Sequence, residues 1–73
     1  MRLKYRKFAF YDDEFPEASY YVEQMSNGDI VIRNYRGEIE QHSYLGKRLT
    51  KRRAIRILTD YLFSVIEEML FMR

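Results

Sequence analysis

At Thr50 the hydrophobic period of this chain changes from that of strands to that of a helix, and this switch bounds its fold. Before it, runs rich in Tyr, Phe, Val and Ile are separated by turn-forming residues. After it, Ala54, Leu58, Tyr61, Leu62, Val65, Met69 and Met72 recur at steps of three and four residues, the spacing of one helical face. Thr50 is a natural N-cap, and Gly46 gives the chain a corner before it. The spacing predicts a helix over about 50–72, roughly 30 Å long at 1.5 Å per residue.

Upstream, the pair Asn27 and Gly28 is a hairpin signal, because both residues accept the positive φ of a tight two-residue turn. Arg36 and Gly37 make a second turn. Strands are expected at about 2–11, 18–26, 29–35 and 38–45, and the pattern leaves open whether the first joins the sheet. Two-residue turns set Met25 opposite Ile30, Glu23 opposite Ile32 and Tyr21 opposite Asn34. Beyond the second turn they set Asn34 opposite Ile39 and Ile32 opposite Gln41. Tyr21, Met25, Ile30, Ile32 and Ile39 then share the side the helix covers. Tyr20, Val22, Val31, Arg33, Tyr35, Glu40, His42 and Tyr44 take the other, with Arg33 facing Glu40 as a cross-strand ion pair. A bulge at Gly37 would displace the fourth strand by one residue. The expected class is α+β over a single domain, 1–73: a three- or four-stranded antiparallel β-meander packed against one long C-terminal helix.

The 73 residues contain no Cys and one His. Disulfides, thiolate metal sites and His-pair zinc sites are therefore excluded, and no cofactor is expected. A chain this short buries only about 60–65% of its unfolded surface. Its core rests on packing, for which 47% hydrophobic and 16% aromatic content is an adequate supply. No apolar run follows Met1, and the apolar C-terminal patch is interrupted by Asp60, Glu67 and Glu68. Neither a signal peptide nor a membrane span is expected, and the setting is read as cytoplasmic.

The formal net charge is only +2, but the charges are sorted along the chain. Arg2, Lys4, Arg6 and Lys7 precede an acidic break of Asp12, Asp13, Glu14 and Glu17. Lys47, Arg48, Lys51, Arg52, Arg53 and Arg56 then follow one another with no acid between them. Lys51, Arg52 and Arg53 fall in the first helical turn, where cations oppose the helix dipole by about 0.3–1 kcal/mol each. Glu67 and Glu68 sit against the dipole at the other end. The functional reading is an anion site, in which cations and free amides meet a phosphate backbone or an acidic protein surface. The plain alternative is a solvated basic corner.

Two further surfaces suggest contact rather than chemistry. Tyr20, Tyr35 and Tyr44 beside Arg33 and Arg36 form an aromatic, basic sheet face able to stack bases or anchor a protein. Phe63, Ile66, Leu70 and Phe71 surround the helix tail instead of keeping to one stripe, so a homodimer or another protein partner is expected to cover them. Catalysis is not expected. His42 has no Cys to activate, there is no Gly-x-Ser-x-Gly elbow, and the three glycines belong to turns. Asp12, Asp13 and Glu14 read as a polar loop before they read as a cation site.

Strand, Asn-Gly turn, strand, Arg-Gly turn, strand, and then the run from Gly46 through Lys51, Arg52, Arg53 and Ala54 resembles the small β-β-β-α arm-binding domains of tyrosine recombinases. It is also similar to short phage and mobile-element proteins. The resemblance covers roughly residues 20–60. It implies a sheet entering the DNA major groove, with roles for Arg33, Tyr35 and Arg36. The expected helix is longer than in those domains, and no catalytic domain is expected after it. The expected function is non-enzymatic nucleic-acid binding through the basic helix start and outer sheet face. The alternative is a phage-type, anti-CRISPR-like protein inhibitor or regulator.

Overall fold

Four antiparallel strands lie in sequence order β1-β2-β3-β4 and one helix crosses a face of the sheet. The strands are β1 (Arg6–Phe10), β2 (Tyr20–Gln24), β3 (Asp29–Arg33) and β4 (Ile39–Tyr44); the helix is α1 (Lys51–Phe71). The computed structural model describes residues 2–71, so Met72 and the expected helix end at 72 lie outside the described residues. The α+β class is as expected, and the first strand does join the sheet, over a shorter span than 2–11. No helix among the described residues is long and apolar enough to cross a membrane.

Both hairpins differ from expectation in the same way. The Met25 amide donates to the Asp29 carbonyl at 2.9 Å and the Gly28 amide donates to the Met25 carbonyl at 3.0 Å, which leaves three residues in the loop. Asn34, Gly37 and Glu38 repeat the pattern. Among the described residues only Gly28 (φ 95°) and Gly37 (φ 82°) have positive φ. Each loop is thus a turn closed by one left-handed glycine, not a two-residue turn needing two such residues.

One extra loop residue shifts the β2–β3 register by one and turns every β2 side chain to the other face. Gln24 lies opposite Ile30, Val22 opposite Ile32, and Tyr21 opposite Arg33. Val22 is therefore in the core, packed with Ile30, Ile32, Leu49, Ala54 and Leu58, and Tyr20 lies against that cluster. Tyr21, Met25 and Ile39, expected under the helix, belong to the opposite face by this register. In β4 an irregularity after Ile32 offsets the longer second loop, so Ile32 does pair with Gln41 while Ile39 pairs with Arg33. Glu40 falls at that irregularity and receives a hydrogen bond from the Tyr61 hydroxyl (3.3 Å) on the helix side. The expected Arg33–Glu40 pair does not form; Arg33 Nε instead donates to Glu23 Oε2 at 2.9 Å.

Thr50 caps the helix as expected, its Oγ1 accepting from the Arg53 amide at 3.2 Å and its carbonyl from the Ala54 amide at 2.8 Å. The stripe beyond is buried only in part. Ala54 and Leu58 are buried, Ile57, Tyr61 and Leu62 partly so, and Met69 is 68% exposed. Lengths explain this. Twenty-one helical residues span about 31 Å, whereas strands of five or six residues span about 17–20 Å. The last two to three turns of α1 extend past the sheet.

Candidate functional site

The corner between β4 and α1 is held by one buried amide. Gln24 is fully buried, its Nε2 donating to the carbonyls of Leu45 (3.2 Å) and Lys47 (2.8 Å). Its Oε1 accepts from the Leu49 amide at 2.8 Å. Three hydrogen bonds in a dry site fix the path of 45–49, and with it the backbone positions of Lys47 and Arg48. Leu49, fully buried next to this amide, anchors the loop in the core. On the adjoining hairpin the Gly28 carbonyl accepts from the Leu45 amide at 3.0 Å.

On this rigid corner Lys47, Arg48, Lys51, Arg52 and Arg56 are exposed and Arg53 is half-buried. Arg53 Nη1 donates to the Arg48 carbonyl at 3.3 Å, tying the first helical turn back to the loop. Arg52, Arg53 and Arg56 line an open depression together with Thr50. Arg53 and Arg56 also border a second, more apolar depression with Leu45, Ile57 and Asp60. Among the described residues, the ion pairs within 4.0 Å are Lys7–Glu23 and Arg33–Glu23, so none engages this basic corner. The first amides of α1 have no intrahelical acceptor, and Thr50 Oγ1 takes up that of Arg53.

The other expected residues are not gathered here. Arg33 ends β3, four residues from Asp29, or about 13 Å at 3.3 Å per residue, and Arg36 lies in the turn beyond it. Arg33 is committed to Glu23 and, through Nη1, to the Gly37 carbonyl at 2.8 Å. Arg36 lies over the Tyr35 ring, 5.3 Å from its centroid, with its Nε donating to the Tyr35 hydroxyl at 2.9 Å. Tyr20 faces the helix, edge-on to Tyr61 with centroids 6.4 Å apart. Tyr44 alone of the three tyrosines sits near the basic corner, its ring against Gly28 and Gly46. Phe63, Ile66, Leu70 and Phe71 are all more than half exposed, on the overhanging part of the helix.

The outer face has a different composition from the one expected. Its centre is Glu23, buried and receiving the Tyr5 hydroxyl at 3.0 Å as well as Arg33, with Lys7 at 4.0 Å. Burial alone would raise the Glu23 carboxyl pKa, but hydrogen bonds from Arg33 and Tyr5 and the charges of Arg33 and Lys7 prevail and hold it below the usual range. Lys7 lies 4.6 Å above the Tyr21 ring, and Tyr11 meets Tyr21 edge-on with centroids 6.0 Å apart. Sequence reasoning missed Glu23, Gln24 and Tyr21 because the two-residue turn reversed β2, and Tyr5 because it lies before β1, whose faces were left unassigned. A three-residue reading of the same glycines would have placed the β2 residues. The acidic break is a loop device: Asp12 Oδ1 accepts from the amides of Glu14 (3.0 Å) and Phe15 (2.9 Å).

No protein-family model, curated protein or solved structure matches this chain. Function therefore rests on this geometry alone.

Proposed function

We propose that the protein is a non-enzymatic nucleic-acid-binding domain of the cytoplasm, and that it engages phosphates through the corner formed by 47–56. The observation that carries this reading is a run of six cations without an acid, the first two on a loop fixed by Gln24 and the other four on the first turns of α1, with no ion pair among the described residues. Cations left unpaired against the helix dipole cost stability, which an anionic partner would recover. Tyr44 at the edge of the corner offers one ring for stacking. The geometry favours contact with the backbone over reading of bases, since Arg33, Arg36 and Tyr35 lie at the opposite end of the sheet.

A second reading, protein–protein inhibition or regulation, draws on the exposed tail at Phe63, Ile66, Leu70 and Phe71. Fluorescence anisotropy with random-sequence duplex and single-stranded oligonucleotides separates the two. Binding that is lost on Lys47→Glu with Arg48→Glu supports the first. No binding at about 50 mM salt, where phosphate contacts are strongest, rejects it in favour of the second.

A further inference from the structure

Two basic stretches stand far apart in the sequence, Arg2 to Lys7 and Lys47 to Arg56, and the fold joins them at one end of the sheet. Arg6 lies directly opposite Gln24 across β1 and β2. Such partners share a face, with one strand spacing of about 4.8 Å between them. Gln24 is the residue whose side chain holds the carbonyls of Leu45 and Lys47 and the amide of Leu49. The loop that leads into α1 therefore passes over the strand next to Arg6. Arg6 is held on that face, its guanidinium carbon 5.2 Å from the centroid of the Phe8 ring, and Phe8 packs against the core under the helix. Ahead of β1 the Leu3 amide donates to the Ser26 carbonyl at 2.9 Å. The lead-in that carries Arg2 and Lys4 thus runs beside the end of β2, at this same end of the sheet.

The topology also sorts acids away from this end. Asp12, Asp13, Glu14 and Glu17 follow β1 and Glu38 precedes β4, all at the opposite end of the sheet. Glu23 is buried on the outer face with Arg33. Asp29 does stand at the basic end, but strand alternation sets it on the outer face too, and its Oδ2 accepts from Asn27 Nδ2 at 3.0 Å. Among the described residues the ion pairs are Lys7–Glu23 and Arg33–Glu23, so Arg2, Lys4 and Arg6 have none. Unpaired cations from both stretches raise one local positive potential. We propose that Arg2, Lys4 and Arg6 belong to the phosphate-binding surface, which runs from the corner across the end of β2 onto the lead-in of β1, and that its ligand is the backbone of a nucleic acid. This rests on the nucleic-acid reading above and widens its site beyond 47–56. Phosphate contacts position a protein without reading bases, so the added contacts strengthen binding alike on every sequence.

Anisotropy of the full chain on a random-sequence duplex, from about 50 to 200 mM salt, tests this, with far-UV circular dichroism confirming that each variant is folded. Lys4→Gln with Arg6→Gln is expected to weaken binding and to flatten the slope of log affinity against log salt by about 2, the share of two phosphates. Arg36→Glu lowers the net charge by the same amount in the turn at the far end of the sheet. It should leave the slope unchanged. Where Arg6→Gln unfolds the chain, Arg2→Gln with Lys4→Gln, both exposed and ahead of β1, takes its place with the same expected result. A wild type that does not bind rejects the function and this surface with it. Binding that falls with Lys47→Glu and Arg48→Glu but not with Lys4→Gln and Arg6→Gln keeps the function and overturns this surface. Equal flattening by Arg36→Glu also overturns it, because net charge alone would then account for the effect.

Discussion

Glu23 and Gln24 are adjacent in β2 and point to opposite faces, and each organises the face it enters. Glu23 is a buried carboxylate kept charged by Arg33, Tyr5 and Lys7. Its folded pKa is depressed, so its contribution to stability is present above the unfolded value of about 4.3 and is lost as pH falls through the folded value. Glu23→Gln should cost about 1–2 kcal/mol at pH 7, where a charge-assisted bond to Arg33 becomes neutral. In urea titrations the gap between variant and wild type should close as pH drops below 4 or so; a gap independent of pH would show that the charge contributes nothing. Gln24→Leu keeps volume in the core but strands the Leu49 amide and two carbonyls. A loss of about 2–4 kcal/mol is expected in the same titration, with faster amide exchange across 45–49.

At the scale of elements, most of the architecture is legible in the residues. The switch of period at Thr50, its cap, the four strands and the acidic break all stand where the sequence pattern puts them, within a few residues. The faces of β2 do not, and the reason is local. Gly28 and Gly37 each supply positive φ in either kind of turn, so the dipeptides alone do not distinguish two-residue from three-residue loops. That one-residue difference decides whether Val22 or Tyr21 enters the core, and hence which aromatic and basic groups share a surface. Of the candidate site, the contiguous run 47–56 was legible because a helix start keeps neighbours together. The sheet-borne residues depended on register and were dispersed. Gly28 and Gly37 also predict different sensitivities. At Gly37 a Cβ meets nothing within 4 Å, so Gly37→Ala should cost only the left-handed backbone term of about 1–2 kcal/mol. At Gly28 it would lie 2.8 Å from the Tyr44 ring and 2.9 Å from the Leu45 carbonyl. Thermal denaturation should show Gly28→Ala to be clearly the worse of the two. In α1, Lys51→Glu should raise stability by about 0.3–1 kcal/mol at low salt, since it turns an unfavourable dipole contact into a favourable one.

As a whole the molecule is 44 Å in its longest dimension and 28 by 21 Å across, with a basic corner at one end of the helix and an apolar, acidic tail at the other. That polarity runs against the helix dipole at both ends, an arrangement that stability within one chain does not favour. Phosphate bound at the corner, as proposed, would relieve it there. The modest net charge of +2 implies a short footprint on a polyanion. The most direct measurement is the salt dependence of binding to a random duplex, followed by anisotropy from about 50 to 200 mM salt. Each phosphate contacted adds about −0.9 to the slope of log affinity against log salt. Three to six corner contacts should therefore give a slope near −3 to −5, and Lys47→Glu with Arg48→Glu should flatten it by about 2 while leaving the fold intact. A slope near zero, or one the double variant leaves unchanged, would contradict the assignment of phosphate binding to this corner.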